Sequence, residues 1–249
     1  MKVSIVTATY NRGSTILRAV KSIKAQSYSN IQLVVIDGAS KDQTTELIEP
    51  YLDCGDILIS EEDEGIYDAL NKGIKLAVGD IVGFLHSDDL IYDSDVISKV
   101  VEVFSDDSVD VVYGDACFFF SENPNVIRRK YRSSKLTIKN LAWGKMPAHP
   151  SIFIRRHIYD EIGYFETNFK IAADYEFLCR LAKYPNLKSV YVPHPFVRMQ
   201  LGGASTEGLH STILLNKEVL RALRKNGIYS NLLMVLSKYP SKIMGYISK

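Results

Sequence analysis

Through its first half the chain alternates apolar runs with helical stripes. Val3 to Ala8, Ile31 to Ile36 and Ile81 to Leu85 are almost continuously apolar or small, the pattern of strands covered on both faces. Ile57 to Ser60 reads as a further short strand. Between these runs, apolar residues recur at helical spacing: Ile16, Leu17, Val20 and Ile23 after a Ser14 cap, a segment from Asp42 to Glu49 stopped by Pro50, and Ile66, Leu70, Ile74 and Ala77 ahead of Gly79. Strictly alternating strands and helices predict a parallel sheet with right-handed crossovers, doubly wound.

Beyond Asp89 the rhythm changes. Val96 to Phe104 is helical; Val109 to Gly114, Ala116 to Phe120 and Val126 to Tyr131 read as short strands, with a turn at Asn123-Pro124. A strand lies within Met146 to Ile154, a short helix runs from Arg155 to Ile162, and Asp174 to Tyr184 forms a longer one. Ser189 to Gln200 is extended, and the chain is helical again from about Gly208. The expected organisation is one α/β domain over 1–207, with a nucleotide-binding half (1–110) and an acceptor half (111–207), followed by a helical, membrane-associating extension over 208–249.

Composition narrows the class. A length of 249 residues with 46% hydrophobic content suits one sizeable core. The net charge of +1 argues against nucleic acid as a partner. Cys54, Cys117 and Cys179 are widely spaced, fit no metal pattern and leave one unpaired, so all three are expected reduced and packed, in a cytoplasmic setting. The apolar run after Met1-Lys2 is too short for a signal peptide, and no apolar run of about 18 residues is present to span a membrane.

Candidate chemistry gathers where strands end. In an open α/β sheet, ligands sit beyond the carboxyl ends of the strands, and the four polar loops near Thr9, Asp37, Asp63 and Asp88 would open on that one edge. Asp88-Asp89 pairs two like charges, which are easier to keep ionised beside a cation; hard oxygen ligands suit Mg²⁺ or Mn²⁺ bridging to a diphosphate. The plainer reading of the pair is a solvated turn capping the next helix. Asp37 could accept from a pyrimidine imide N–H or from a ribose hydroxyl, with Asp63 taking the other, and Thr7, Thr9 and Tyr10 could line a base pocket. Taken singly, Asp37-Gly38 is equally a common turn pair and Thr9 a cap.

The stretches Ser4 to Arg12, Val34-Val35-Ile36-Asp37-Gly38-Ala39-Ser40, Asp63-Glu64-Gly65-Ile66-Tyr67-Asp68-Ala69-Leu70-Asn71-Lys72-Gly73 and Leu85-His86-Ser87-Asp88-Asp89, in this order, resemble the family-2 glycosyltransferases of A-type fold over roughly residues 2–205. The nearest likeness is to the bacterial branch that builds O-antigen, capsule and exopolysaccharide units. The resemblance implies inverting transfer of a sugar from a nucleotide-diphosphate donor, UDP-linked, to a glycan hydroxyl on a polyprenyl-diphosphate-linked acceptor, with contact at the cytoplasmic face of the inner membrane. It makes Asp37 the base contact with Thr9 and Tyr10 beside it, Asp63 the second base or ribose contact, Asp88 a ribose or metal contact and Asp89 the Mg²⁺ or Mn²⁺ ligand.

Ala172-Ala173-Asp174-Tyr175-Glu176 matches the family's Glu-Asp motif, with Ala173 in place of the usual glutamate. Asp174 is then the general base, its pKa expected to be lowered by the helix dipole; without the family it reads equally as an N-cap. His149-Pro150-Ser151 resembles a stretch near the acceptor site, for acceptor or phosphate, or for packing. Gly202 and Gly203 resemble a loop closing over donor phosphate, and His210 is a candidate third metal ligand. Lys217, Arg221, Arg224, Lys225, Lys238, Lys242 and Lys249 oppose only Glu218; interleaved with apolar residues, they fit either a segment lying on an anionic membrane or a helix packed on the domain or a partner. Two other functions compete: a nucleotidyltransferase, which would want a glycine-rich basic loop after the first strand, and a non-catalytic nucleotide-sugar-binding subunit, suggested by Ala173.

Overall fold

The computed structural model describes residues 1–121, 123–202 and 208–239. Its first half follows the predicted alternation: β1 (Val3–Thr9), α1 (Ile16–Lys24), β2 (Ile31–Asp37), α2 (Thr44–Ile48), β3 (Ile57–Ser60), α3 (Ile66–Leu76) and β4 (Ile81–Phe84). β3, β2, β1 and β4 lie side by side, all parallel. Registers of Thr9 with Asp37 and of Asp37 with Ser60 end three strands at one level, which is what gathers their polar loops on one rim. Period-two alternation splits the strands between two cores. Val3, Ile5, Leu33 and Val35 face α1 and the later helix over Val96–Phe104, while Val6, Ala8, Val34 and Ile36 face α3.

The second half consists of β5 (Leu90–Ile91), α4 (Val96–Phe104), β6 (Val111–Phe120), β7 (Asn123–Tyr131), α5 (Ile138–Ala142), β8 (Ile152–Arg155), α6 (His157–Ile162), α7 (Ala173–Leu181), β9 (Ser189–Gln200), α8 (Gly208–Lys225) and α9 (Leu232–Leu236). The sheet continues from β4 through β8, β6, β9 and β5, with β7 paired to β6. β8 is antiparallel to both neighbours, β6 and β9 are parallel to each other, and β5 and β7 are antiparallel to their partners. The result is a mixed, mostly parallel sheet with helices on both faces.

Two glycines shape the junction. At Gly83 a Cβ would stand 2.5 Å from the Phe153 ring, so the bare backbone lets Phe153 cross β4 and brings the turn at His149–Ser151 to the rim. At Gly114 a Cβ would meet the His194 carbonyl oxygen at 2.6 Å. The register against β9 shifts beside it, at Tyr113/Asp115. The two strands expected across this point are therefore one bulged strand.

Three local expectations change. Asn123-Pro124 opens β7 rather than turning; β7 pairs only with β6, and proline is tolerated on such an edge. Thr15, not Ser14, occupies the N-cap of α1. Cys117 and Cys179 are packed as expected, but Cys54 is exposed. From Gly208 the chain is helical as expected, and Val219, Ala222 and Leu223 of α8 are buried in the same core as α7. No helix among the described residues is long and apolar enough to cross a membrane.

Candidate active site

A cavity of about 500 Å³ opens at the carboxyl rim of the sheet. Thr9 and Tyr10 after β1, Asp63 ahead of α3, Asp88 and Asp89 after β4, His149 ahead of β8 and Asp174 in α7 all line it. Seven candidates from five separate stretches thus share one wall. Tyr10 is 56% exposed at the mouth, whereas Asp89 is only 3% exposed.

Asp89 occupies the tightest position. Its Oδ1 accepts from the Gln200 amide at 2.9 Å. Burial, then the negative charge of Asp88, pushes its pKa well above the usual carboxylate range, and Arg18 acts in the opposite direction. Arg18 donates to the Asp88 carbonyl oxygen at 3.4 Å and to Gln200 Oε1. Two carboxylates held close with one guanidinium beside them are short of positive charge, a donor set that fits a divalent cation. No group of three or more His, Cys, Asp or Glu suited to a metal occurs among the described residues.

Asp174 is the second residue of α7, not its N-cap, which is Ala172. Its Oδ1 accepts from the Tyr175 amide at 2.7 Å and from the Tyr67 hydroxyl at 3.4 Å; that hydroxyl also donates to the Ile171 carbonyl oxygen at 2.6 Å. Its pKa is raised, not lowered as the helix start leads one to expect: burial dominates these hydrogen bonds and pushes Asp174 up to about 6. A carboxylate titrating there is better matched to accept a proton near neutral pH.

His149 stacks on Phe84, with centroids 4.9 Å apart, and its ring lies 5.9 Å from that of His86. Burial, reinforced by His86, holds His149 down to about 3, and burial also lowers His86. A neutral imidazole can offer a phosphate a hydrogen bond but no charge. The packing expected of His149 is therefore present, and the cavity contact is present with it.

Other candidates do not reach the wall. Asp37 is fully buried beneath the rim; it accepts from the Ser40 amide at 2.9 Å, from the Ser60 hydroxyl at 2.6 Å and from the Ser40 hydroxyl. Asp63 packs against the residue that follows it: a Cβ on Gly38 would be 2.5 Å from Asp63 Oδ2. Thr7 is buried, with its hydroxyl unpartnered. His210 stands exposed on the first turn of α8. Gly202 sits in a turn at φ +97°, where an added Cβ would meet no other described residue within 4 Å, and Gly203 lies outside the described residues.

Several wall residues carried no expectation, among them Tyr67, Lys170, Met199 and Gln200, together with Arg18 behind the wall. Only Arg18 gave a sign in the sequence: it is a cation within the otherwise apolar stripe from Ile16 to Val20.

A twisted, mostly parallel sheet with an acidic cavity at its carboxyl rim is the architecture of the A-type glycosyltransferases. Solved structures share it. S. aureus TarS 1-349 in complex with UDP-GlcNAc superposes with a TM-score of 0.70 at 20% identity, over 93% of this chain and 68% of that one. Mannosyltransferase PcManGT from Pyrobaculum calidifontis, in complex with GDP-Man and Mn²⁺, gives 0.67 at 21% identity, over 92% and 65%. Among curated proteins, the PGL/p-HBAD biosynthesis glycosyltransferase of Mycobacterium tuberculosis is 29% identical over 229 residues, 88% of this chain and 83% of that protein. An uncharacterized glycosyltransferase of the same species is 34% identical over 182 residues, 72% and 68%. The family model "Glycosyl transferase family 2" matches residues 4–163, and the chain belongs to that family.

Proposed function

We propose that this glycosyltransferase inverts the anomeric centre while moving a sugar from a UDP-linked donor to a glycan hydroxyl in bacterial surface-polysaccharide synthesis. The observation that carries the reading is that Asp174 and the Asp88-Asp89 pair line the same cavity. A base and a cation-compatible acidic pair can then act on one substrate. Inversion needs a base on one face of the sugar and a departing diphosphate on the other.

Asp174 accepts the proton of the acceptor hydroxyl as the new bond forms, and Tyr67 holds that carboxylate in place. Tyr10 and Thr9 border the base, and Asp63 meets the base or ribose. Asp37, enclosed by Ser40 and Ser60, acts by holding the loop beneath Asp63. Asp88 and Asp89 would hold Mn²⁺ or Mg²⁺, which when bound neutralises charge on the departing nucleotide. The glycosyltransferase domain is taken as 1–207, with its nucleotide-binding half over 1–110 and its acceptor half over 111–207, and the acceptor as lipid-linked at the cytoplasmic face of the inner membrane, with 208–249 assisting contact.

A thermal-shift screen of nucleoside diphosphates and nucleotide sugars, with and without Mn²⁺, tests the donor. Stabilisation by UDP and UDP-sugars that grows with Mn²⁺ supports it. Stabilisation only by a nucleoside triphosphate, with release of pyrophosphate, would replace it with nucleotidyl transfer.

A further inference from the structure

Two segments far from each other in sequence and outside the cavity share an unusual composition. Residues 133–148 contain Lys135, Lys139 and Lys145 and no acid; residues 219–239 contain four basic residues and no acid. The fold brings them into contact. The Ser230 hydroxyl donates to the Ala142 carbonyl oxygen at 2.6 Å, and a Cβ on Gly144 would lie 3.0 Å from the Val235 carbonyl oxygen. Flanking this junction, Trp143 is 43% exposed, Leu232 52%, Leu233 80% and Tyr229 81%.

Leu232, Leu233 and Leu236 fall on one side of α9, while Val235 on the other side is buried in the core. The exposed side is therefore not a residue of poor packing: α9 is anchored, and it presents leucines outward. Tryptophan and tyrosine beside leucine, ringed by lysine, is the combination that settles at a bilayer–water boundary. Lys139 and Lys145, on either side of Trp143 in sequence, are both exposed. The charge also argues against a second copy as the occupant. A two-fold pairing sets a patch against itself, and here that would oppose cation to cation.

We propose that the surface formed by the α5–Trp143–Lys145 turn together with Tyr229 and α9 docks on an anionic lipid bilayer. Trp143 and Leu233 enter the interface, and Lys139 and Lys145 meet the head groups. The surface deepens the membrane part of the function above, extending it to a segment before β8, and rests on that function only for its purpose. The Tyr175 hydroxyl donates to the Leu141 carbonyl oxygen, so the docking surface is tied to the helix that carries Asp174.

The test is co-sedimentation of the full chain with vesicles of phosphatidylglycerol and phosphatidylcholine in equal parts, and with phosphatidylcholine alone. Binding to the anionic vesicles should be at least about tenfold stronger and should weaken with salt. Lys139→Gln and Lys145→Gln should each weaken it about fivefold. The double variant Trp143→Ser/Leu233→Ser should weaken it at least about tenfold; Leu233 is 80% exposed and Trp143 43%, so Tm should fall by only a few degrees, roughly 2–8 °C, and the far-UV spectrum should stay that of the folded chain. Donor hydrolysis is measured on the same preparations. No vesicle binding, binding untouched by the double variant, or a dimer that the double variant dissociates would overturn the docking surface, whether or not hydrolysis persists. Vesicle binding without hydrolysis under any donor would keep the surface and overturn the transfer.

Discussion

Glu218 in α8 accepts the backbone N–H of Ala172, the N-cap of α7, at 2.9 Å, and also those of Lys170 at 2.8 Å and Ile171 at 2.9 Å. A carboxylate 46 residues away in sequence thus caps the helix that carries Asp174. The chain has alanine at 173, where its resemblance to the family leads one to expect glutamate, yet an acid still reaches this helix start, from another segment. Its charge adds to burial in raising the pKa of Asp174.

Glu218→Gln should therefore lower the pKa of Asp174, moving the acid limb of the kcat–pH profile to lower pH. The amide oxygen can still accept, but its NH₂ faces donors, so stability should fall by about 1–3 kcal/mol. A pH–rate profile beside a melting curve separates the two effects. A lowered Tm with an unmoved profile would leave Glu218 a structural cap only.

Asp174→Asn should abolish most transfer, by about 10²–10⁴-fold in kcat, while UDP binding persists. Its stability should move the other way. A folded pKa of about 6 against the ordinary 3.8 means that folding disfavours the ionised form. The wild type is therefore penalised once both folded and unfolded chains are ionised, and the penalty fades as pH falls through 6 towards 4. The variant should gain roughly 1–3 kcal/mol over wild type at about pH 8 and little at about pH 4. Paired melts at the two pH values check the sign, and full activity in the variant would remove Asp174 as base.

Gly38→Ala tests the donor rim without touching a charge. The new methyl would meet Asp63 Oδ2 at 2.5 Å. Asp63 is the end of a side chain, so it can shift; stability should change by less than about 1 kcal/mol. The carboxylate would leave its place in the cavity wall, and the donor KM should rise while kcat changes less. Steady-state kinetics on donor and acceptor separately make the distinction, and an unchanged donor KM would dismiss Asp63 from the donor site.

Much of this site was legible in the sequence because its residues sit at strand ends. Thr9, Asp63, Asp88 and Asp89 follow apolar runs whose type and order fix the rim, and register does the rest. What the sequence hid depends on segments that meet only in the fold. Gln200 reaches Asp89 from 111 residues away, and Tyr67 reaches Asp174 from 107. The raised pKa of Asp174 is hidden for the same reason. A dipole can be inferred from a helix start, but the burial that outweighs it comes from packing around α7 that local pattern does not reveal. Asp37, the most motif-like acid, is enclosed by Ser40 and Ser60; its level comes from its register in β2, but the two hydroxyls that occupy its carboxylate meet it only in the fold.

Asp89→Asn addresses the acidic pair itself. Asn can still accept the Gln200 amide, so the tie between the β4 loop and β9 should survive, and with it the contact of Arg18 to Gln200. What is lost is one negative charge beside Asp88. Wild-type protein with UDP at saturating Mn²⁺, about a hundred times the dissociation constant, should gain about 2.7 kcal/mol by mass action, or roughly 5–10 °C in Tm for a chain of this size. The variant should retain the metal-free shift with UDP and lose most of the increment from Mn²⁺. Mg²⁺ in place of Mn²⁺ ranks the two ions in the same assay. An undiminished increment in the variant would take Asp89 out of the cation site and leave its burial to be explained by the Gln200 contact alone.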